Sequence, residues 1–174
     1  MSEPISLISS SIRAIHDFPK PGILFRDITT LLQNPQAYAA AIRLLTARIR
    51  QMNPTHLAAI ESRGFLFAAP VAVELGLPLC ILRKPGKLPA VTIRETYQLE
   101  YGEDSIEIHA DAIQKEDRVV IVDDLLATGG TAAAAGRLMA KCQATVAGYA
   151  FVVELRDLGG RAQLNAPVVS LVMY

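Results

Sequence analysis

The chain of 174 residues has no tryptophan, only two cysteines and only three histidines. Cys80 and Cys142 stand alone without the spacing of metal ligands, so we interpret both as reduced packing residues, which favours a cytoplasmic protein. The scattered histidines argue against a metal site built on them. No apolar run reaches the roughly 18 residues of a membrane span. Residues 1–11 lack the basic start and apolar core of a secretory signal, so we expect neither a membrane protein nor a secreted one.

An excess of charge of either sign is also missing, because 17 basic residues balance 17 acidic ones. The chain therefore has no global field that would attract nucleic acid or an anionic membrane, and any basic site must be local. Hydrophobic residues make up 51% and charged residues 20%, which is typical of a folded globular protein. At this length we expect a single domain over residues 1–174, without linkers, repeats or low-complexity segments.

The first part of the chain shows two helical patterns separated by a turning segment. Isoleucines at helical spacing between Ile5 and Ile15 predict an opening amphipathic helix. A proline- and glycine-rich string follows it and predicts an extended or turning segment. Asn34 and Pro35 then predict the N-cap and first residue of a second helix, which ends near Gln51.

The rest of the chain predicts a mostly parallel sheet. Runs that suit strands occur over residues 57–60, 79–82, 106–108, 119–122, 146–153 and 168–173. Helical segments are predicted over residues 65–75, with Pro70 in the first turn or at a kink, then up to about Cys142, and over residues 158–164. Residues 88–104 carry little helical pattern and are predicted to form a long loop with extended pieces. Strands that alternate with helices predict an α/β fold, a twisted parallel sheet with helices on both faces.

Ligands of such sheets bind beyond the carboxyl ends of the strands. Four loops are predicted to leave the sheet at that edge, over residues 61–64, 83–87, 123–131 and 154–158. We therefore expect these loops to converge on one site.

The most informative stretch, residues 119–131, reads Val-Val-Ile-Val-Asp-Asp-Leu-Leu-Ala-Thr-Gly-Gly-Thr. An apolar strand leads into two adjacent carboxylates, Asp123 and Asp124, and then into a Thr-Gly-Gly-Thr turn that opens an Ala-rich helix. Paired glycines let backbone N–H groups close around an anion, and the helix N-terminus adds its positive dipole end. A phosphate cup beside acids that accept from hydroxyl groups predicts a phosphorylated sugar as the ligand. The simpler alternative is a solvated acidic pair at an ordinary strand-to-helix turn.

This stretch resembles the 5-phosphoribosyl-1-pyrophosphate (PRPP) motif of the type I phosphoribosyltransferases. It is neither a Walker A loop nor a Gly-x-Gly-x-x-Gly dinucleotide turn. The resemblance implies that Asp123 and Asp124 act as catalytic residues on the ribose hydroxyls. It implies that the 5-phosphate is bound by Ala127, Thr128, Gly129, Gly130 and Thr131. It further implies an N-terminal hood over residues 1–34 that contributes to the base site, and a flexible lid loop over residues 88–108.

Basic residues follow two other predicted strands. Arg63 comes directly after the strand that ends near Ile60, and the resemblance implies that it binds pyrophosphate in a loop that often carries a non-proline cis peptide. The resemblance also assigns Arg83, Lys84 and Lys87 to pyrophosphate binding. In related enzymes the arginine of this second loop can reach across a dimer interface, so a homodimer is implied. The alternatives are a surface arginine at a helix start and a solvated basic loop.

The members of that family that use adenine share further strings with this chain over almost its whole length. These strings are Phe18-Pro19-x-Pro21-Gly22-Ile23-x-Phe25-Arg26-Asp27-Ile28, Ser62-Arg63-Gly64-Phe65, Arg83-Lys84-x-Gly86-Lys87-Leu88-Pro89 and Leu99-Glu100-Tyr101-Gly102. In those members, backbone groups at the positions of Leu24 and Arg26 read the edge of the base. Phe25 and Leu158 would stack on its two faces. One departure is Thr30, where many members carry proline.

Two residues of the predicted lid complete the implied site. Glu100 is a candidate acid/base group, and Tyr101 is a candidate cover residue. A polar loop tip is the alternative interpretation of both.

The resemblance implies purine salvage by transfer of the phosphoribosyl group from PRPP to adenine, giving AMP and pyrophosphate through an oxocarbenium-like ribose. Mg²⁺ is the implied cofactor, held mainly by PRPP and water because the sequence offers no dedicated carboxylate cage. Rival interpretations are a transferase for a 6-oxopurine, xanthine or orotate, and a PRPP sensor that has lost the chemistry. The sequence has no spare nucleic-acid-binding segment that would favour a sensor. A receiver domain that uses the acidic pair for phospho-transfer leaves the Thr-Gly-Gly-Thr loop unexplained.

Overall fold

The computed structural model describes residues 3–98 and 102–174. The predictions for Glu100 and Tyr101 therefore lie outside the described residues. The chain divides into two compact units, residues 1–44 and residues 45–174. Within the described ranges, no helix combines the length and the apolar character needed to cross a membrane.

Three helices and two antiparallel strands belong to the first part of the chain: α1 (Glu3–Ser10), β1 (Arg13–His16), β2 (Leu24–Asp27), α2 (Thr29–Leu32) and α3 (Pro35–Arg50), which continues into the second unit. The predicted opening helix is therefore too long, because Ile15 lies on β1 opposite Phe25. The backbone of β1 bonds to a strand from later in the chain, and isoleucine spacing alone does not reveal that partner. The start of α3 is as predicted, since the Asn34 side chain accepts a hydrogen bond from the Ala37 amide at 3.1 Å.

The segment between β1 and β2 turns as predicted. The Phe18–Pro19 peptide is cis, and the Gly22 amide donates to Asp17 Oδ1 at 2.7 Å. The rings of Phe18 and Phe25 meet edge to face, with centroids 5.1 Å apart. This aromatic contact helps to fix Phe25 on β2 within the first unit.

Arg13 and Asp27 join the two short strands through an ion pair in which Nη2 and Oδ2 lie 2.5 Å apart. The hydrogen bond from Arg13 is the main reason why the pKa of Asp27 falls from 3.8 to about 2. The pair therefore stabilises the fold at pH values above the ordinary pKa of an aspartate. This contribution is lost as the pH falls towards about 2.

The second unit contains these further elements, in chain order: β3 (His56–Ile60), α4 (Arg63–Leu75), β4 (Leu79–Leu82), β5 (Thr92–Gln98), β6 (Glu103–His109), β7 (Arg118–Leu126), α5 (Gly130–Lys141), β8 (Thr145–Glu154) and β9 (Val168–Met173). Five of the strands form one parallel sheet in the order β4-β3-β7-β8-β9. Helix α4 packs on β3 and β7, and α5 packs on β7 and β8. The predicted α/β class with a parallel sheet is thus confirmed.

The apolar runs explain which strands are central. Val119 to Val122 on β7 are fully buried, as expected for a strand covered on both faces. Pro70 lies inside α4 beyond its first turn, so the prediction that it belongs to the first turn is wrong. Gly76 ends that helix with a φ of 65°, in the left-handed region that glycine adopts most easily.

Residues 92–98 and 103–105 depart most from the prediction, because they lie on β5 and β6, which form an antiparallel hairpin where a long loop with extended pieces was predicted over residues 88–104. Glu95 on β5 is buried and pairs with two cations of α5, Arg137 at 2.6 Å and Lys141 at 2.7 Å. Because these partners come from a distant helix, the local pattern does not predict the hairpin. The lid function of this segment stays a prediction.

Glu107 on β6 is a second correction, because the alternation of Ile106 and Ile108 with Glu107 and His109 predicts a half-exposed strand with Glu107 on its exposed face. It is buried, and its carboxylate accepts hydrogen bonds from Arg94 Nε at 2.8 Å and from the Gly86 amide at 3.1 Å. These hydrogen bonds let a charged group occupy an interior position.

Two short 3₁₀ turns, Arg156–Leu158 and Gly160–Gln163, replace the single helix predicted over residues 158–164. Gly159 separates them with a φ of 64°. Arg161 of the second turn lies 2.5 Å from the Glu154 carboxylate, which anchors the turn to the end of β8.

Candidate active site

Both acids of the motif lie on strand β7. The strand runs to Leu126, past the predicted end at Val122, because it continues to pair with β8. Asp124 is only 4% exposed, whereas Asp123 is less buried and borders two adjoining cavities.

The first cavity has a volume of about 650 Å³ and lies at the junction of β7 and α5. Its lining includes the whole predicted phosphate loop, residues 127–131. The lining residues are Gln98, Asp123, Leu125, Leu126, Ala127, Thr128, Gly129, Gly130, Thr131 and Ala132. Helix α5 begins at Gly130, so the positive end of its dipole lies at this cavity and favours an anion there. Gly129 precedes the helix with a φ of 86°, which a residue with a side chain rarely adopts.

The 3₁₀ turn after β8 contacts the phosphate loop through two glycines. A Cβ on Gly129 would lie 2.5 Å from the carbonyl oxygen of Gly160, and a Cβ on Gly160 would lie 2.1 Å from that of Ala127. The Leu155 amide also donates to the Leu126 carbonyl at 2.9 Å. The predicted convergence of the loops after β7 and β8 is confirmed by these contacts.

The second cavity, of about 350 Å³, shares Asp123 and Thr131 with the first. Residues from the ends of three strands and from the hairpin line it: Ile60, Glu61, Ser62, Arg63, Lys84, Tyr97, Asp104, Ile106, Asp123, Asp124 and Thr131. Two of the predicted pyrophosphate ligands, Arg63 and Lys84, therefore face the same space as both acids. The loops after β3, β4 and β7 converge as the sequence predicts.

Glu61 organises the basic loop, a role that sequence reasoning missed. Its carboxylate accepts hydrogen bonds from Arg83 Nε at 3.0 Å and from the Lys84 amide at 2.7 Å, and it also bonds the ammonium of Lys87. Burial acts to raise the pKa of Glu61, but the hydrogen bonds from Arg83 and Lys87 outweigh it and lower that pKa to about 2. The Glu61–Ser62 peptide is cis. The signal available in the sequence was a carboxylate directly after a buried strand.

The two acids of β7 interact closely with each other and with one arginine. Asp123 Oδ1 accepts from the Asp124 amide at 2.9 Å, and Arg63 Nε lies 3.1 Å from Asp124 Oδ2. Burial raises the pKa of Asp123, and the neighbouring charge of Asp124 raises it further. Burial also raises the pKa of Asp124, although Arg63 opposes that shift. The pair therefore offers several oxygens that can accept hydrogen bonds, and Arg63 offsets part of its negative charge.

A second polar chain, which sequence reasoning also missed, crosses the second cavity. Thr131 Oγ1 donates to the Tyr97 hydroxyl at 3.2 Å, and that hydroxyl donates to Asp104 Oδ2 at 3.1 Å. Asp104 also pairs with the ammonium of Lys84. Tyr97 and Asp104 come from the hairpin that was predicted as a loop, so no periodic pattern marked them.

The four predicted base-binding residues lie in different units. Leu24, Phe25 and Arg26 are on β2 of the first unit. Leu158 lies on the 3₁₀ turn of the second unit and is 49% exposed. Their common role in binding a base stays a prediction.

Groups of three or more histidine, cysteine, aspartate or glutamate side chains able to hold a metal ion do not occur in the described part of the chain. A Mg²⁺ ion bound mainly through the oxygens of a phosphorylated ligand and water is compatible with this donor set, because Mg²⁺ often keeps few protein ligands.

The model of the phosphoribosyl transferase domain family matches residues 27–172. An adenine phosphoribosyltransferase of a Synechococcus strain is 55% identical over 168 residues, which cover 96% of this chain and 98% of that protein. The crystal structure of adenine phosphoribosyltransferase from Thermoanaerobacter pseudethanolicus superposes with a TM-score of 0.94 at 46% identity, covering 98% of this chain and 99% of that one. The Saccharomyces cerevisiae enzyme, complexed with an imino-altritol bisphosphate and adenine, gives a TM-score of 0.94 at 38% identity, with 98% and 99% covered. The chain therefore belongs to the phosphoribosyltransferase family, in the group of the adenine phosphoribosyltransferases.

Proposed function

We propose that this protein transfers the 5-phosphoribosyl group of PRPP to adenine, giving AMP and pyrophosphate in purine salvage. The observation that carries the proposal is the pair of adjoining cavities, one beside the N-terminus of α5 and the other lined by Arg63 and Lys84. They share Asp123 at their junction. A ligand with a phosphate at one end, a sugar in the middle and a second anionic group at the other end matches this arrangement.

The phosphate loop holds the 5-phosphate. Residues 127–131 surround the first cavity, and the close packing of Gly129 on Gly160 keeps the loop next to the helix terminus. Backbone amides and the α5 dipole attract the phosphate without requiring a charged side chain. The phosphate end of PRPP is thereby fixed relative to the acids on β7.

Asp123 and Asp124 hold the ribose hydroxyls. Their oxygens border the second cavity, and Arg63 fixes the carboxylate of Asp124. As the bond to pyrophosphate breaks, positive charge develops on the ribose, and nearby carboxylates stabilise that charge.

The departing pyrophosphate is stabilised by Arg63, Arg83, Lys84 and Lys87. Glu61 holds three of these residues on one loop. When Mg²⁺ is bound, mainly through PRPP oxygens and water, it supplies further charge neutralisation to the leaving group. The four basic side chains orient the pyrophosphate and neutralise part of its charge.

Adenine is proposed to be read by backbone groups at Leu24 and Arg26 and stacked on Phe25. A backbone carbonyl accepts from the exocyclic amine of adenine but has no partner in the oxygen of hypoxanthine, so the wrong base leaves buried groups unpaired. A homodimer and a cytoplasmic location are further proposals. Light scattering on the purified protein tests the dimer.

Release of pyrophosphate from PRPP with a panel of bases tests the function directly. With adenine we expect steady turnover, and with hypoxanthine, guanine, xanthine or orotate we expect a rate at least about a hundredfold lower, because the rejected bases leave polar groups unpaired. Turnover with a 6-oxopurine and not with adenine would support the rival transferase. PRPP binding without turnover on any base would support the sensor.

Replacing Glu61 with glutamine tests the basic loop. We expect the KM for PRPP to rise about tenfold or more, because the neutral amide no longer holds Arg83 and Lys87 against the loop. Glu95→Gln is the matched control, since Glu95 also pairs with two cations and its side chain is equally buried, but its partners lie on α5. Steady-state kinetics measure both variants. Equal effects on the KM for PRPP would contradict the role of Glu61.

A further inference from the structure

Lys84 is the predicted pyrophosphate ligand whose charge is paired with a carboxylate of the hairpin. Its ammonium bonds to Asp104 on β6. The side chain of Lys84 is 38% exposed and that of Asp104 is 24% exposed, so water reaches both groups. A partly solvated pair of this kind contributes little net stability and exchanges partners easily.

Asp104 differs in its surroundings from the other carboxylates of the cavity. Glu61 bonds to the backbone and side chains of the basic loop and therefore builds it. Asp124 belongs to the acidic pair that faces the sugar. Within the described residues, Asp104 has no comparable task in the loop, since its other partners there are the Tyr97 hydroxyl and the amide of Ser105.

The charge of Asp104 persists at neutral pH. Burial acts to raise its pKa, but the hydrogen bonds from Lys84, Ser105 and Tyr97 outweigh burial and lower it. An anion that binds Lys84 in the second cavity must therefore displace the carboxylate of Asp104. The bound anion then lies beside that negative carboxylate. Both effects weaken anion binding, since like charges in a partly buried site repel strongly.

We propose that Asp104 is a positioning residue that competes with pyrophosphate for Lys84 and so weakens pyrophosphate binding and favours its release. The proposal rests on the proposed function, because it takes the second cavity as the pyrophosphate site. Asp104 then has a role that no predicted site residue has, because it limits the affinity of the cations for pyrophosphate. Pyrophosphate takes the ammonium of Lys84 when it binds, and Asp104 retakes it when pyrophosphate leaves.

The test is calorimetric titration of magnesium pyrophosphate into the full-length protein and its variants. Asp104→Asn keeps the shape and a hydrogen-bond acceptor but removes the charge, so we expect its Kd for pyrophosphate to fall about fivefold or more. Glu103→Gln removes the same charge one residue earlier, where the side chain is exposed and bonds to Gln98 instead of a cation. We expect its Kd to stay within about twofold of the wild type, because surface charges are screened.

Tyr97→Phe separates charge from hydrogen bonding, because it removes the hydroxyl that bonds Asp104 and leaves the carboxylate in place. We expect no tightening of pyrophosphate binding in this variant. A Kd for Asp104→Asn that equals or exceeds the wild-type value overturns the proposal, and so does equal tightening in Glu103→Gln. If Asp104→Asn lowers the melting temperature, Asp104→Ala repeats the measurement and must show the same tightening.

Failure of the proposed function gives a different result. A wild-type protein that binds pyrophosphate but does not release it from PRPP with adenine contradicts the function, while the comparison of Asp104→Asn with Glu103→Gln still decides the role of Asp104. Normal turnover with unchanged pyrophosphate affinity in Asp104→Asn contradicts only the inference.

Discussion

Asp124→Asn is expected to lower kcat/KM for PRPP about a hundredfold to a thousandfold, because it removes a carboxylate that stabilises the ribose cation in the transition state. The residue is buried on β7 and bonded to Arg63, so its oxygens are held in place before the substrate arrives. Asparagine keeps the shape and one acceptor oxygen, so binding of PRPP falls less than kcat does. Steady-state kinetics with adenine and PRPP measure both parameters.

The same substitution is expected to leave the fold intact. Burial raises the pKa of Asp124, so burial acts against its charged form in the folded protein. A neutral side chain of equal size removes that cost, so we expect the melting temperature to change by no more than about 3 °C. Asp117→Asn is the control, because Asp117 precedes β7 and bonds to the Gln114 amide and the Thr55 hydroxyl. It should affect stability and leave kcat/KM unchanged, whereas unchanged turnover in Asp124→Asn would remove the ribose role.

Gly129→Ala is expected to raise the Kd for PRPP about a hundredfold or more, because two effects displace the phosphate loop. The backbone there has a φ of 86°, and a Cβ would lie 2.5 Å from the carbonyl oxygen of Gly160. That oxygen belongs to backbone and not to a flexible side chain, so the loop or the 3₁₀ turn must move. A displaced loop no longer aims its amides at the phosphate.

Gly22→Ala is the matched control for Gly129→Ala. It has the same φ of 86°, but no atom lies within 4 Å of the position that a Cβ would take. It should therefore lose stability through backbone strain, about 1–2 kcal/mol, and retain its affinity for PRPP. Calorimetry for PRPP and thermal melts of both variants separate strain from the clash. Retained PRPP affinity in Gly129→Ala would contradict the assignment of the phosphate loop.

Features that depend on local sequence could be predicted. The run from Leu79 to Leu82 forms β4 over those residues, because four apolar residues between turn signals leave few alternatives. Asn34 caps α3 because its short side chain reaches the first-turn amides. The convergence of loops at one edge also followed from the alternation of strands and helices, since parallel strands bring their carboxyl ends together.

Features that depend on distant partners could not be predicted. The hairpin is stabilised by contacts of Glu95 with α5, far along the chain. Glu61 serves the site only because β4 delivers Arg83 and Lys84 next to it. Asp104 looked like a loop residue because nothing local shows that Lys84 lies beside it. In each case the side chain has a role that only the folded arrangement of two elements creates.

We propose above all that one PRPP molecule spans the two cavities of the second unit, from the N-terminus of α5 to the cations at Arg63 and Lys84. Calorimetric titration of PRPP into the wild-type protein with magnesium present tests it most directly. We expect saturable binding of one PRPP per chain, which Gly129→Ala weakens about a hundredfold or more. Absence of binding by the folded wild-type protein would contradict the claim.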